Sequence, residues 1–341
     1  MPVLRYAAAA LLLTLAHTLC LAPAHAGDPL TIRIAWAAVP GQLPAVLYQK
    51  HEILRHYGQS YTVEPVYSRG SGTQITALAS GELQMALYAP SALALTIERA
   101  GMDDIRIIGD ATRDGFGDYY SRQYMVRAES AIRTIDDLKG KVLGVNSISG
   151  AMDMALRAGL RRHGLEDKRD YQIVEVDFPN MFAMLTSSKI ELGCFTTPFS
   201  FAAERSGDTR TLFTMKDLVG EQDITIMAAR QSFIAKNRAA LVDFFADSQR
   251  AMRWFYDPAN RAEVLAIISS FTKQPASAYS GWLFTHADDY RDPDLRPNLD
   301  AIQHDIDREV ELGFLAKGFD VKRYADLSLI DDAAKERAAG N

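Results

Sequence analysis

A chain of 341 residues, 48% hydrophobic and 23% charged, has the composition of a folded globular protein with room for two domains, each with its own core. Its formal net charge of −6, with no Lys/Arg run, excludes the electrostatic footprint of a nucleic-acid or anionic-membrane binder, so no nucleic-acid partner is expected. Two cysteines, Cys20 and Cys194, are too few for a disulfide framework.

The chain begins with one charge, Arg5, then the apolar run Ala7 to Leu21, then Pro23-Ala24-His25-Ala26, a small-x-small cleavage signal. Residues 1–26 therefore read as a secretory signal peptide cut after Ala26. Leu19 stands before Cys20 where a lipoprotein signal wants a small residue. Cys194 is then the one thiol of the exported protein and is expected to be a buried packing residue. Export without disulfides suits a bacterial periplasm.

Leu30 to Trp36 alternate into a first strand, and Val39 to Pro44 turn the chain into an expected helix from Ala45 to Tyr57, closed by Gly58. Strand Tyr61–Tyr67 leads into the polar turn Ser68-Arg-Gly-Ser-Gly-Thr73 and a helix over Gln74–Ser80. Strand Gln84–Tyr88, the turn Ala89-Pro90-Ser91, a helix over Ala92–Ala100 and strand Ile105–Gly109 follow. Strands alternating with helices across short loops predict an α/β fold with mainly parallel sheets, in which ligands bind beyond the carboxyl ends of the strands. Arg113 to Tyr124, rich in glycine and aromatics, reads as a crossover able to bend, with Tyr119 and Tyr120 as candidate cleft rings.

The same pattern then restarts. Asp136 to Lys139 form a turn stopped by Gly140, and Lys141–Asn146 a short strand that ends in Asn146, Ser147, Ser149 and Gly150 before a helix over Ala151–His163. Such a strand end places unpaired N–H groups, two hydroxyls and a partial positive charge at one point, suited to an anion or a carbonyl oxygen. The plain alternative is that Ser147 and Ser149 cap the helix. Strand Gln172–Asp177 and Phe178-Pro179-Asn180 open the next unit. Ala77 to Tyr88, followed by Pro90, recurs in pattern as Met184 to Phe195, followed by Thr196-Thr197-Pro198, which predicts two related lobes. A return crossover is expected over Asp217–Thr225 and a strand over Ile224–Ala229. The remainder reads as helical: Asn237–Tyr256 with a core stripe of Leu241, Phe244, Phe245, Met252 and Phe255, then helices near 261–271, 276–284 and 298–313. Arg291 to Pro297 reads as a solvated turn.

Ile32-Arg-Ile-Ala35, Gln42-Leu-Pro-Ala45, Gly70-Ser-Gly-Thr73, Ala77-Leu-Ala-Ser-Gly-Glu-Leu83, Thr134-Ile-Asp-Asp-Leu-Lys-Gly-Lys-Val-Leu-Gly144, Ser149-Gly150 and Thr197-Pro198-Phe199 stand in an order that resembles the substrate-binding proteins of nitrate, aliphatic-sulfonate, taurine and thiamine-precursor ABC importers. The likeness spans most of the exported chain. Gln84, His51 and Trp36 depart from the usual family residues, which bears on the ligand rather than the fold. The resemblance implies a two-lobed Venus-flytrap (type II periplasmic-binding-protein) fold with the ligand held between lobes and delivered to an inner-membrane ABC permease. Lobe 1 is expected over 27–118 and 224–341, and lobe 2 over 119–223.

The expected ligand-binding residues are Ser71, Thr73 and Ser91 from the first lobe and Ser147, Ser149, Gly150, Thr196 and Thr197 from the second. Trp36, Gln42 and Tyr119 would hold the organic part of a sulfonate, taurine or carboxylate-like ligand. Arg69 and Arg113 are expected at the surface; either turned inward would favour a carboxylate. No Gly-x-Ser-x-Gly elbow, His-Glu-x-x-His helix, phosphate loop or Cys/His cluster occurs, so catalysis, a metal and a cofactor are not expected, and the protein is expected to be a monomer. A periplasmic sensing subunit for a membrane kinase would use the same cleft. A thiamine-precursor-binding or biosynthetic relative is a further alternative.

Overall fold

The computed structural model describes residues 28–37, 41 and 42, 47–98 and 100–339. The expected signal peptide and the start of the helix expected at Ala45 lie outside the described residues. The first sheet is built in chain order from β1 (Leu30–Trp36), β2 (Tyr61–Tyr67), α1 (Ser71–Ser80), β3 (Ala86–Tyr88), α2 (Pro90–Glu98) and β4 (Ile105–Asp114). β1 runs parallel to β2, and a parallel bridge from Ile34 to Met85 joins β1 to β3.

The second sheet takes β5 (Arg122–Arg127), β6 (Val142–Val145), α3 (Ala151–Arg162), β7 (Gln172–Glu175), α4 (Phe178–Thr186), β8 (Leu192–Thr196), α5 (Phe199–Ser206) and β9 (Thr209–Thr214). Its strand order is β7-β6-β8-β5-β9. After α6 (Met215–Val219) the chain returns as β10 (Gln222–Arg230), which lies antiparallel between β3 and β4. β5 lies antiparallel between β8 and β9 in the same way. The two sheets thus share one plan: parallel strands on one side, then a crossing strand that runs the other way. That plan is the physical content of the repeat between 77–88 and 184–195.

Alternation along the first sheet sorts its side chains into two cores. Ile32, Ile34, Leu87, Ile108 and Met227 join the core under α7 (Gln231–Tyr256), α8 (Arg261–Thr272) and α10 (Ser328–Ala339). Tyr88, Ile107 and Ile226 join the opposite core, with Ile302 and Ile306 of α9 (Leu299–Glu311). The second lobe has its own core, with Leu143, Leu192 and Phe195 among its buried members. The stripe Leu241, Phe244, Phe245, Met252 and Phe255 is buried as its spacing predicts, on a helix kinked at Asn237.

Three expectations are corrected. Leu47 is helical, but from Tyr48 to Tyr57 the chain makes only the 3-10 turn His51–Ile53, after which Leu54 is extended and Tyr57 bridges to Tyr61. The helix expected over 276–284 shrinks to the 3-10 turn Ala276–Ala278; Tyr279, Trp282 and Leu283 are buried, so core packing alone produced a helical spacing. The segment 291–297 is no solvated turn. Arg291 is 1% exposed and Leu295 is buried, and the stretch runs beside β4, with Asp110 N–H donating to Leu295 O (2.8 Å) and Arg113 N–H to Tyr290 O (2.8 Å).

Candidate functional site

The carboxyl ends of the strands in both sheets face each other across a cavity of about 560 Å³, mouth included. Two helices begin on its walls. α1 starts at Gly70 and α3 at Gly150, and neither glycine cap offers a side-chain acceptor to the first-turn N–H groups. Both N-termini therefore present unpaired donors and the positive end of a helix dipole to one volume. The closing of α3 explains why Ser147 and Ser149 do not cap it: Ser149 N–H donates to Asp153 Oδ2 (2.8 Å), and its left-handed backbone (φ 63°) turns its carbonyl toward the other lobe.

Arg122, at the start of β5, brings a guanidinium to the cavity. Its Nη1 donates to Asp289 and to Ser121 Oγ and lies 3.9 Å from Asp114 Oδ1. Burial opposes ionisation of Asp289, yet Arg122 and Arg291 outweigh it and hold this carboxyl below its ordinary range. Arg291 is in turn bound by Asp288 Oδ1 (2.9 Å) and donates to Gly41 O (3.0 Å) beside the cavity. The result is a buried ionic chain that ties the crossover, the C-terminal segment and the cavity wall together.

Of the residues expected from sequence, Gln42, Ser71, Gly150 and Thr196 line this cavity. Gln42 Oε1 already accepts from Ala37 N–H (2.5 Å) and Ser71 Oγ from Ala89 N–H (3.2 Å), so each also braces its own loop. Ser91, Ser147 and Ser149 lie where the lobes touch. Ser91 Oγ donates to Ser149 O (2.8 Å), and Ser147 abuts Gly70. Thr197 is buried, and its hydroxyl has no partner among the described residues.

Three expected residues lie elsewhere. Trp36 packs edge-on against Tyr67 and Phe271 in an outer groove of the first lobe. Thr73 Oγ1 turns back onto Gly70 O (2.9 Å). Tyr119 packs on Tyr290 and His286 rather than facing the cavity. Neither expected arginine enters: Arg69 sits at the outside, 3.6 Å from Asp177 of the other lobe, and Arg113 is buried against Asp110 (2.9 Å) and Asp223 (3.4 Å).

Sequence reasoning missed Arg122, Gln74, Asn146, Phe178 and Thr225 as lining residues. Arg122 stood in the quoted crossover, and Asn146 and Phe178 in the quoted strand ends, so position was legible and role was not. Phe178, stacked on Phe199, gives the cavity an apolar wall. Among the described residues the lining contains no histidine, carboxylate or cysteine, hence no proton acceptor beside Ser71.

The family model described as NMT1-like matches residues 25–269. No curated protein matches the chain by sequence. Among solved structures, the periplasmic nitrate-binding protein NrtA from Synechocystis PCC 6803 superposes with a TM-score of 0.72 at 16% identity, over 91% of this chain and 89% of that one. The alkanesulfonate-binding protein SsuA from Xanthomonas axonopodis pv. citri, bound to MOPS, gives 0.68 at 17% identity, over 89% and 100%. A desulfurization enzyme, DSZB, gives 0.64 at 13% identity, over 90% and 99%. The fold is that of the two-lobed periplasmic binding proteins.

Proposed function

The chain belongs to the NMT1-like family, and from that premise we propose that it is the substrate-binding component of an ABC importer, capturing a small organic anion between its lobes. One observation carries this reading: the uncapped N-termini of α1 and α3, from opposite lobes, meet at one cavity together with the Arg122 guanidinium. Helix N-termini and a guanidinium are donors for a sulfonate or carboxylate head. Asn146, Ser71 and Thr196 add polar contacts, and Phe178 and Met152 face the organic part.

The ligand bridges the lobes and so favours the closed form, which Ser91, Ser147 and Ser149 complete. The protein acts by binding rather than catalysis. It works in the periplasm as a monomer, exported by the segment 1–26, and hands its cargo to an inner-membrane permease.

The test is a thermal-shift screen of the exported chain against alkanesulfonates, taurine, nitrate and aromatic carboxylates. A ligand at 100 times its Kd adds about 2.7 kcal/mol to the folded state, an easily read rise in Tm. A rise with sulfonates or carboxylates, lost on Asn146→Ala plus Thr196→Val, is the expected result. No rise with any anion, in protein first refolded free of co-purified ligand, overturns the reading.

A further inference from the structure

Beside the main cavity, along the same interface, lies a second one of about 360 Å³ with its mouth. Ser91 of α2, Met154 of α3, Asp223 of β10 and Asp305, Arg308 and Glu309 of α9 line it. Glu309 is 6% exposed and lines this cavity, with Arg308 of the same helix as the cation acting on its carboxylate. Asp305, one turn earlier and also buried, is 3.2 Å from Arg308 Nη1. Where burial and neighbouring carboxylates outweigh the pull of one cation, a carboxyl favours its protonated form.

Resting on the proposed closure of the lobes around a ligand, we infer that closure is coupled to proton uptake by Glu309 and Asp305, so that acid favours capture and alkali favours release. Around this pair, burial and neighbouring carboxylates outweigh Arg308 and, at Asp305, Gln222. Burial, with Asp305 and Glu98 of α2 adding to it against the pull of Arg308, pushes Glu309 up to about 8. Burial, opposed by Arg308 and assisted by Asp223, pushes Asp305 up to about 7. On the α3 side Glu309 borders Asp153 and Arg157, but Arg157 is already engaged by Asp153 (2.7 Å) and Asp167 (2.7 Å). When α3 leaves α2 and α9, water reaches the cavity they share and both carboxyls move back toward their ordinary range of about 4. The closed form therefore holds protons that the open form releases. The closed-to-open ratio falls by up to about tenfold per pH unit for each group, from the ordinary carboxylate range up to about 7 for Asp305 and about 8 for Glu309.

Spin labels at Ser80→Cys and Lys189→Cys, exposed positions on the two lobes, read the distance between lobes by electron–electron resonance, because Cys194 is buried and takes no label. In ligand-free protein the closed population is expected to shrink from pH 5.5 to 8.5. Glu309→Gln should weaken that response, and Asp305→Asn with Glu309→Gln should abolish it, which separates these groups from others that titrate. A pH-independent distance distribution in the parent protein overturns the coupling, as does an unchanged response in the double variant. If methanesulfonate or longer alkanesulfonates still shift that distribution, domain closure stands and only the proton coupling falls. If nothing shifts it, both fall.

Discussion

Gly70 and Ser147, from opposite lobes, touch so closely that a Cβ built on Gly70 would stand 2.5 Å from Ser147 Cβ and 2.6 Å from its Oγ. Gly70 has extended backbone (φ 171°) that any residue adopts, so its lack of a side chain matters to the contact between lobes and not to the chain's own conformation. Gly70→Ala is expected to fold normally yet oppose full closure. An overlap of this kind costs about 1–3 kcal/mol, which weakens ligand affinity by roughly 5- to 150-fold. Adding Ser147→Gly should restore most of it, and titration calorimetry on the four proteins of that cycle gives the coupling.

The bond from Ser91 Oγ to Ser149 O exists only while the lobes are together. Ser91→Ala should therefore leave the Tm of ligand-free protein almost unchanged while removing about 1 kcal/mol from the closed complex. Stopped-flow measurement should show the loss as an approximately fivefold faster ligand release.

Arg122 serves both the cavity and the ionic chain through Asp289 and Asp114. Removing it leaves buried carboxylates without their cation, so Arg122→Gln is expected to lower stability by about 3–5 kcal/mol and abolish anion binding. Coupling it to Asp289→Asn should recover stability, read by urea denaturation, but not binding. A double variant that regained affinity would show that Arg122 acts through the scaffold alone.

Stability should also depend on pH through Glu309 and Asp305. Their pKa values in the folded protein, about 8 and about 7, lie above those of the unfolded chain. The unfolded chain therefore gives up its protons first as pH rises. Stability is lost progressively from near pH 4 up to about 8 and flattens above that. Thermal scans across this range should show a smaller fall for Glu309→Gln than for the parent.

Burial pushes the Cys194 thiol up to about 12, with its sulfur accepting from Asn146 N–H (3.2 Å). Ellman's reagent at pH 8 should leave the native protein unmodified and react with one thiol of the exported chain after denaturation.

Much of the fold was legible because strand and helix periods, glycine stops and the repeat from 77–88 to 184–195 are local signals. The helix over Ala151–Arg162 and the strand over Leu30–Trp36 were read within a residue. Residues 276–284 were misread because buried Tyr279, Trp282 and Leu283 carry helical spacing without helical backbone. Ser91, Ser147 and Ser149 were placed at strand mouths by sequence, but whether a strand mouth lines a cavity or touches the other lobe depends on how the lobes meet.

By itself the sequence determined two repeated α/β units, the order of their strands along the chain, and the polar turns from which α1 and α3 start, since each follows from near neighbours. Only the tertiary structure decided where the charges go. Arg113 reads as a surface residue and Arg291 as part of a solvated turn, because an isolated buried cation is prohibitively costly, and Arg122 carries no local sign of burial. They are buried because Asp110 and Asp223, Asp114 and Asp289, and Asp288 and Asp289 meet them there. Several of those partners are distant in the chain, and charge pairing across such distances has no local signature.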